Sequence, residues 1–159
     1  MRQEVIGIFS KVFCGSFLKF ELTSRQVSIV IHVRGLRALF AYLRYGSLSY
    51  GTVLSDVSAV EMGGGRGCAL IYIFFLRRCN LRLCVSTMYN WERFAICASE
   101  FFAGAGWPER ECGEMFGIVF YRKLDTRRLM LDYAFEGAPL SKSFVACGYE
   151  EVGFNSFDN

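Results

Sequence analysis

Two hydrophobic periods follow one another along the chain. RQVSIVIHV (Arg25 to Val33) alternates apolar and polar positions and is rich in β-branched residues, which predicts a strand with Val27, Ile29, Ile31 and Val33 on one face. His32 falls on the polar side of that strand. In GLRALFAYLRYG the period lengthens: Leu36, Leu39, Phe40 and Leu43 recur at helical spacing, and Gly46 is placed to close the helix. A second strand is expected over about Leu48 to Met62, with a break near Leu54, Ser55 and Asp56.

GGGRG (residues 63–67) could cradle phosphate only if a Lys-Ser/Thr pair and a helix followed. A strand-like run, CALIYIFFL, follows instead, then RRCN, then LRLCVSTM, which predicts antiparallel strands with turns at Gly63 to Gly67 and Arg77 to Asn80. WERFAICASEFFAGAG reads as weakly helical, with Phe94, Cys97, Ala98 and Phe101 at helix spacing. Pro108 then starts a helix at its preferred first-turn position, Glu109 and Glu111 complement the helix dipole, and Gly117 can end it. From Tyr121 onward turn residues dominate. The expected fold is a single α+β domain: residues 1–24 as an N-terminal extension, 25–120 as a core of about four mostly antiparallel strands packed with helices, and 121–159 as an irregular, extended C-terminal tail that wraps rather than folds alone.

Composition adds a partner-facing expectation. With 159 residues, 53% apolar and 16% aromatic, the chain has more hydrophobic surface than one small core needs, so the surplus is expected to face partners. The longest uninterrupted apolar run, Cys68 to Leu76, is nine residues, against about 20 for a membrane-spanning helix. The start, with Glu4 and a broken apolar pattern, carries no evident targeting segment. Seven cysteines without a C-x-x-C pair indicate neither a zinc knuckle nor a closed disulfide framework, and fit a reducing compartment. Abundant Phe, Gly, Val, Leu and Cys beside scarce Pro, His, Gln and Lys match G/T-rich codons, as an organelle-encoded gene or one with uridine-rich messages would give.

Candidate chemistry is sparse. The single histidine has no nucleophile and carboxylate in triad-like pattern around it. Glu111 and Glu114, at i and i+3, could form a proton-sharing carboxylate pair, but a surface ion pair between Arg110 and Glu114 is the simpler account. A net charge of +3 is too mild to indicate nucleic acid by itself. The arginines Arg77, Arg78 and Arg82 on a hairpin nonetheless give an alternative reading, a small organellar RNA-binding or ribosomal protein.

ERECGEMFGIVFYRKLDTRRLM (Glu109 to Met130) resembles the signature of the 30-kDa hydrophilic subunit, the C type, of respiratory complex I, NADH:ubiquinone oxidoreductase. The pattern is Glu-Arg-Glu, two residues, an acid, Met-Phe-Gly-Ile, a basic position, and a Leu-Arg-Arg-aliphatic run. LSDVSAVE (54–61), NLRLCV (80–85), LDYAFEGAPLSKSF (131–144) and GYEEV (148–152) extend the similarity over about residues 25–153. Glu114 and Lys123 stand where the family pattern has Asp and His, Gly113 softens the helix, and Ser141 and Ser143 flank Lys142 in place of a basic and an acidic residue.

The resemblance implies a non-catalytic structural and assembly subunit of the peripheral arm, on the matrix side of the mitochondrial inner membrane. It would carry no cofactor and have no transmembrane span. Its tail would wrap partner subunits. Those neighbours, above all the 49-kDa quinone-site subunit and the iron-sulfur subunits, would carry the iron-sulfur clusters and FMN and bind ubiquinone. The resemblance makes Glu109, Arg110, Glu111, Glu114, Met115, Phe116, Arg127, Arg128, Phe135 and Glu136 the interface or internal-clamp residues, with no catalytic, cofactor-binding or metal residues.

Overall fold

A computed structural model describes residues 17–22, 26–46, 51–63, 67–90, 94–132 and 135–144. The start of the second expected strand (48–50), most of the Gly-rich turn (64–66) and GYEEV (148–152) lie outside the described residues.

Strands β1 (Phe17–Leu22), β2 (Gln26–Ile31), β3 (Val53–Glu61), β4 (Cys68–Leu76) and β5 (Leu81–Tyr89) form one sheet in the order β1-β2-β5-β4-β3. The architecture is α+β, as the pattern predicts. Neighbouring pairs are antiparallel except β2 with β5, which run parallel because helix α1 (Val33–Tyr45) and the β3–β4 hairpin intervene. β1 comes from the stretch 1–24, expected only as an N-terminal extension.

The alternation in β4 and β5 translates directly into faces. Cys68, Leu70, Tyr72, Phe74 and Leu76 are buried with Leu81, Leu83, Val85, Thr87 and Tyr89. Helix α1 closes this face through Leu36, Leu39, Phe40 and Leu43; Phe40 meets Tyr72 edge-on at 4.9 Å and Phe74 at 5.9 Å. Each such side chain contributes about 1.5–3 kcal/mol by leaving water. The register puts Val53, Val60, Phe75 and Met88 on the opposite face, where all four are exposed.

Four local expectations need correction or refinement. The first strand ends at Ile31, and Val33 opens α1 instead of continuing the strand. His32 is therefore no strand-surface residue; it caps α1, its Nδ1 accepting the Arg34 N–H at 3.3 Å. The break at Leu54 to Asp56 is a register shift within β3, which continues beyond it. Residues 94–102 of the expected helix are not helical: Ala95–Ile96 forms a short strand, β6, paired in parallel with β7 (Phe120–Tyr121), and a turn and a 3-10 segment (Ala103–Ala105) lead into helix α2 (Gly106–Phe116).

The β3–β4 hairpin closes at Gly67, whose positive φ and position leave room only for hydrogen: a Cβ there would lie 2.0 Å from the Tyr89 carbonyl oxygen. At the β4–β5 end a 3-10 turn (Arg77–Cys79) is followed by Asn80 in the left-handed region, which its short polar side chain tolerates.

Two buried hydroxyls give opposite expectations. Thr87 Oγ1 is buried without a hydrogen-bond partner among the described residues, whereas the Tyr72 hydroxyl donates to the Ile96 carbonyl at 3.2 Å. Thr87→Val, which removes an unpaired hydroxyl at nearly constant shape, should raise unfolding stability by about 1 kcal/mol. Tyr72→Phe, which orphans a carbonyl, should lower it by about 1 kcal/mol. Urea denaturation of the purified variants checks both signs.

Candidate functional site

Helix α2 carries the densest charge in the chain, and the fold sorts its side chains by where the helix meets the rest of the protein. Pro108 sits in the first turn and Gly117, at φ +72°, closes the last with its N–H on the Gly113 carbonyl. The Cys112 thiol touches the Val57 carbonyl at 3.5 Å, which sets α2 along edge strand β3. This docking turns Glu109 inward, where its side chain is fully buried.

Every lone-pair direction on the Glu109 carboxylate is occupied. Oε1 accepts the Ala98 and Ser99 N–H groups at 2.5 and 3.3 Å; Oε2 accepts the Cys97 thiol at 3.1 Å and Lys123 Nζ at 3.0 Å. Lys123, its side chain 5% exposed, also donates to the Gly106 carbonyl at 2.9 Å. Burial pushes the Cys97 thiol up, and its hydrogen bond to Glu109 adds to that against opposing contacts from Ser99. Burial first, then the negative charge of Glu109, raises the Tyr72 hydroxyl well above its ordinary value. A carboxylate so filled holds a turn, a helix and the start of the tail together.

Arg110 and Glu114 do not form the i, i+4 pair expected of them. Arg110 donates to the Arg127 and Arg128 carbonyls at 2.8 and 3.0 Å and pairs with Asp125 at 3.4 Å. Glu114 accepts the Leu129, Met130 and Leu131 N–H groups at 2.8, 3.0 and 2.5 Å. Burial raises the Glu114 carboxyl, but those three donors and nearby Arg128 outweigh it, and the net shift is downward. Hydrogen bonds from Arg127, side chain then backbone, hold Asp125 well below the usual carboxylate range, with Arg110 adding to them.

The remaining expected site residues take different places. Glu111 is exposed and makes no proton-sharing pair with Glu114, whose oxygens are occupied. It borders a groove of about 240 Å³ between α2 and β3, beside Cys112, whose thiol is pushed up to about 12 by burial and then by Glu111 and Asp56. The Met115 carbonyl accepts the Leu140 N–H at 3.0 Å, and Phe116 packs partly buried against the core. Phe135 stacks on Phe144 at 5.8 Å; Arg127 and Glu136 are exposed. The tail thus lies on this chain's own helix over 125–131 and at 140. At 142 its N–H meets the Glu61 carboxylate of β3 at 2.6 Å.

Lys123, Asp125, Cys97 and Tyr72 belong to the same constellation but are not among the site residues that sequence reasoning nominates. Lys123 is visible in the sequence only as a departure from the family pattern. Between α2, residues 117–120 and the tail remains a cavity of about 510 Å³, bordered by Gly113, Gly117, Ile118, Lys123, Thr126 and Arg128 among others. No three His, Cys, Asp or Glu side chains converge as metal ligands among the described residues.

Comparison with known proteins gives this geometry a context. The chain is 30% identical over 138 residues to the mitochondrial NADH-ubiquinone oxidoreductase 30.4 kDa subunit of Neurospora crassa, covering 86% of this chain and 49% of that protein. It is 34% identical over 118 residues to the NADH dehydrogenase (ubiquinone) iron-sulfur protein 3 of Oryza sativa subsp. japonica, covering 74% of this chain and 62% of that protein. It therefore spans about half to three fifths of the length of these relatives. The trypsin-resistant fragment (1-134) of Nqo5 shares the fold, with a TM-score of 0.63 at 17% identity over 79% of this chain and 99% of the fragment. The model of the family described as respiratory-chain NADH dehydrogenase, 30 Kd subunit, matches residues 29–150. On that match across β2 to the tail, the chain belongs to the 30 Kd subunit family of respiratory-chain NADH dehydrogenase.

Proposed function

We propose that the chain is a structural and assembly subunit, without a reaction of its own, in the peripheral arm of a proton-translocating NADH:ubiquinone oxidoreductase. The carrying observation is the way the family motif is used: Glu109, Arg110 and Glu114 border a cavity, yet their hydrogen bonds go to this chain's own backbone and side chains. Motif charges of this kind fix the shape of a surface. Glu111, Arg127 and Glu136, which point outward, then serve as interface charges, and the exposed part of MFGIVF, Val119, as part of the seam they frame.

The names of the relatives support a respiratory complex as the assembly, and a mitochondrial one for the Neurospora protein. On this reading the chain sits on the matrix side of the inner membrane, beside the 49-kDa quinone-site subunit and the iron-sulfur subunits. Those neighbours hold the iron-sulfur clusters, FMN and the quinone. No described helix is long and apolar enough to cross a membrane. The composition favours an organelle-encoded gene.

Three outcomes are expected. On native gels the chain co-migrates with NADH dehydrogenase activity and stays with the water-soluble arm after the membrane arm is stripped; recovery only in ribosomal fractions overturns the reading. The purified chain retains no stoichiometric iron, zinc or flavin by elemental analysis and absorbance; one tightly held ion per chain contradicts it. Glu109→Gln or Lys123→Met strands a buried partner at a cost of about 3–5 kcal/mol, so assembled complex falls more than turnover per complex. Normal abundance with turnover per complex reduced by orders of magnitude assigns these residues to proton or quinone chemistry instead.

A further inference from the structure

The cavity between α2 and the tail keeps one guanidinium whose hydrogen bonds the surrounding clamps leave unused. Of the ionised side chains bordering it, Glu109 and Lys123 neutralise each other, Arg110 is taken up by two carbonyls and Asp125, and Glu114 accepts three N–H groups. Arg128 feels the charge of Glu114, yet its guanidinium has no hydrogen-bond acceptor among the described residues. Its N–H donors form a planar fork suited to gripping both oxygens of one carboxylate.

The walls and rim indicate what brings that carboxylate. Ile118, Val119, Phe120 and Ala138 make much of the wall apolar, and a hollow of about 510 Å³ is far larger than a lone small anion fills. Val119, which lines it, is 54% exposed, and two residues that follow lining residues in the chain, Tyr121 after Phe120 and Leu124 after Lys123, are exposed as well, Leu124 entirely. A free ion would leave this rim wet, whereas a polypeptide would cover it. An arginine anchor inside an apolar surround is the usual anatomy of a protein interface.

We propose that this cavity is a socket into which a neighbouring subunit of the same arm inserts an Asp or Glu side chain carried on an apolar segment, with Arg128 holding its carboxylate by two hydrogen bonds. The proposal rests on the subunit reading above and names the chemistry of the contact that reading requires.

Thr126 is exposed, borders the cavity and has no partner among the described residues, so it is the place for a probe. With a photo-crosslinking benzoylphenylalanine at 126 in the intact complex, illumination should join the chain to one neighbouring subunit. The joined peptide should contain an Asp or Glu within an apolar run. Arg128→Ala should lower the crosslink yield and the assembled fraction about tenfold or more, with Arg128→Lys recovering part of both. Arg128→Glu combined with Arg at the identified acid should restore assembly. Thr126→Trp, which plugs the mouth from an exposed position, should act like Arg128→Ala if that variant fails to fold. Crosslinks to peptides without an acid, to residues 145–159 of this chain alone, or to no polypeptide overturn the socket, as does unchanged assembly of Arg128→Ala. Co-migration of the wild-type chain with NADH dehydrogenase activity is read separately: if it persists while these tests fail, only the socket is lost, and if it is absent, both readings are.

Discussion

A carboxylate taken wholly out of water is stable only when its oxygens are filled, and Glu109 is filled by groups from two separate parts of the chain, residues 97–99 and Lys123. Two N–H groups come from the turn at Ala98 and Ser99, a thiol from Cys97, and an ammonium from Lys123 beyond β7. Because the carboxylate would be left charged and unpaired without them, the turn, α2 and the start of the tail must arrive together. The short β6–β7 pair follows from that arrival, since the segments that flank it are already held side by side. Lys123 suits the arrangement because a single nitrogen serves both the Glu109 carboxylate and the Gly106 carbonyl. The imidazole of the family pattern, with its two nitrogens on different edges of a ring, could not donate to both from one point.

The tail is held differently, through main-chain groups. Arg110 reads two successive carbonyls and Glu114 three successive N–H groups, so an irregular segment acquires the satisfied backbone that a helix or strand would otherwise provide. Such contacts fix the path of residues 127–131 while leaving the identity of most side chains there free. The same economy places Arg128 at the cavity: its carbonyl is anchored by Arg110, and its guanidinium remains available. Charge in α2 therefore acts twice, inward to close the domain and along the helix surface to shape what the domain presents.

Elements whose fate is decided by their own period are legible in the sequence. β4, β5 and α1 bury the very positions their alternation or helical spacing marks, because each packs against a single broad face. The segment after Trp91 misleads for a physical reason: Phe94, Cys97, Ala98 and Phe101 have helical spacing by coincidence, and the N–H groups of Ala98 and Ser99 bond to a carboxylate 10 or 11 residues away instead of to preceding carbonyls. β1 is as long as β2 and alternates Leu18, Phe20 and Leu22 with Lys19 and Glu21, so its signal is in the sequence; it goes unassigned because the stretch before residue 25 lies outside the family resemblance and is set apart as an extension.

The charged site is legible as a group and illegible as a wiring diagram. Sequence spacing makes Arg110 and Glu114 partners, yet a surface i, i+4 pair is worth only a few tenths of a kcal/mol. Either residue gains more by holding the tail's main chain, because each makes two or three charge-assisted hydrogen bonds at once instead of one exposed pair. The stronger interaction prevails, and both side chains turn away from each other toward the tail. An acid at 114 and an arginine at 110 are thus needed by the geometry of residues 125–131, which no helical period records. The reason for charge beside the apolar run MFGIVF lies there: Ile118 and Phe120 enter the core, Val119 stays outside, and the preceding charges hold the returning chain against the helix that delivered them.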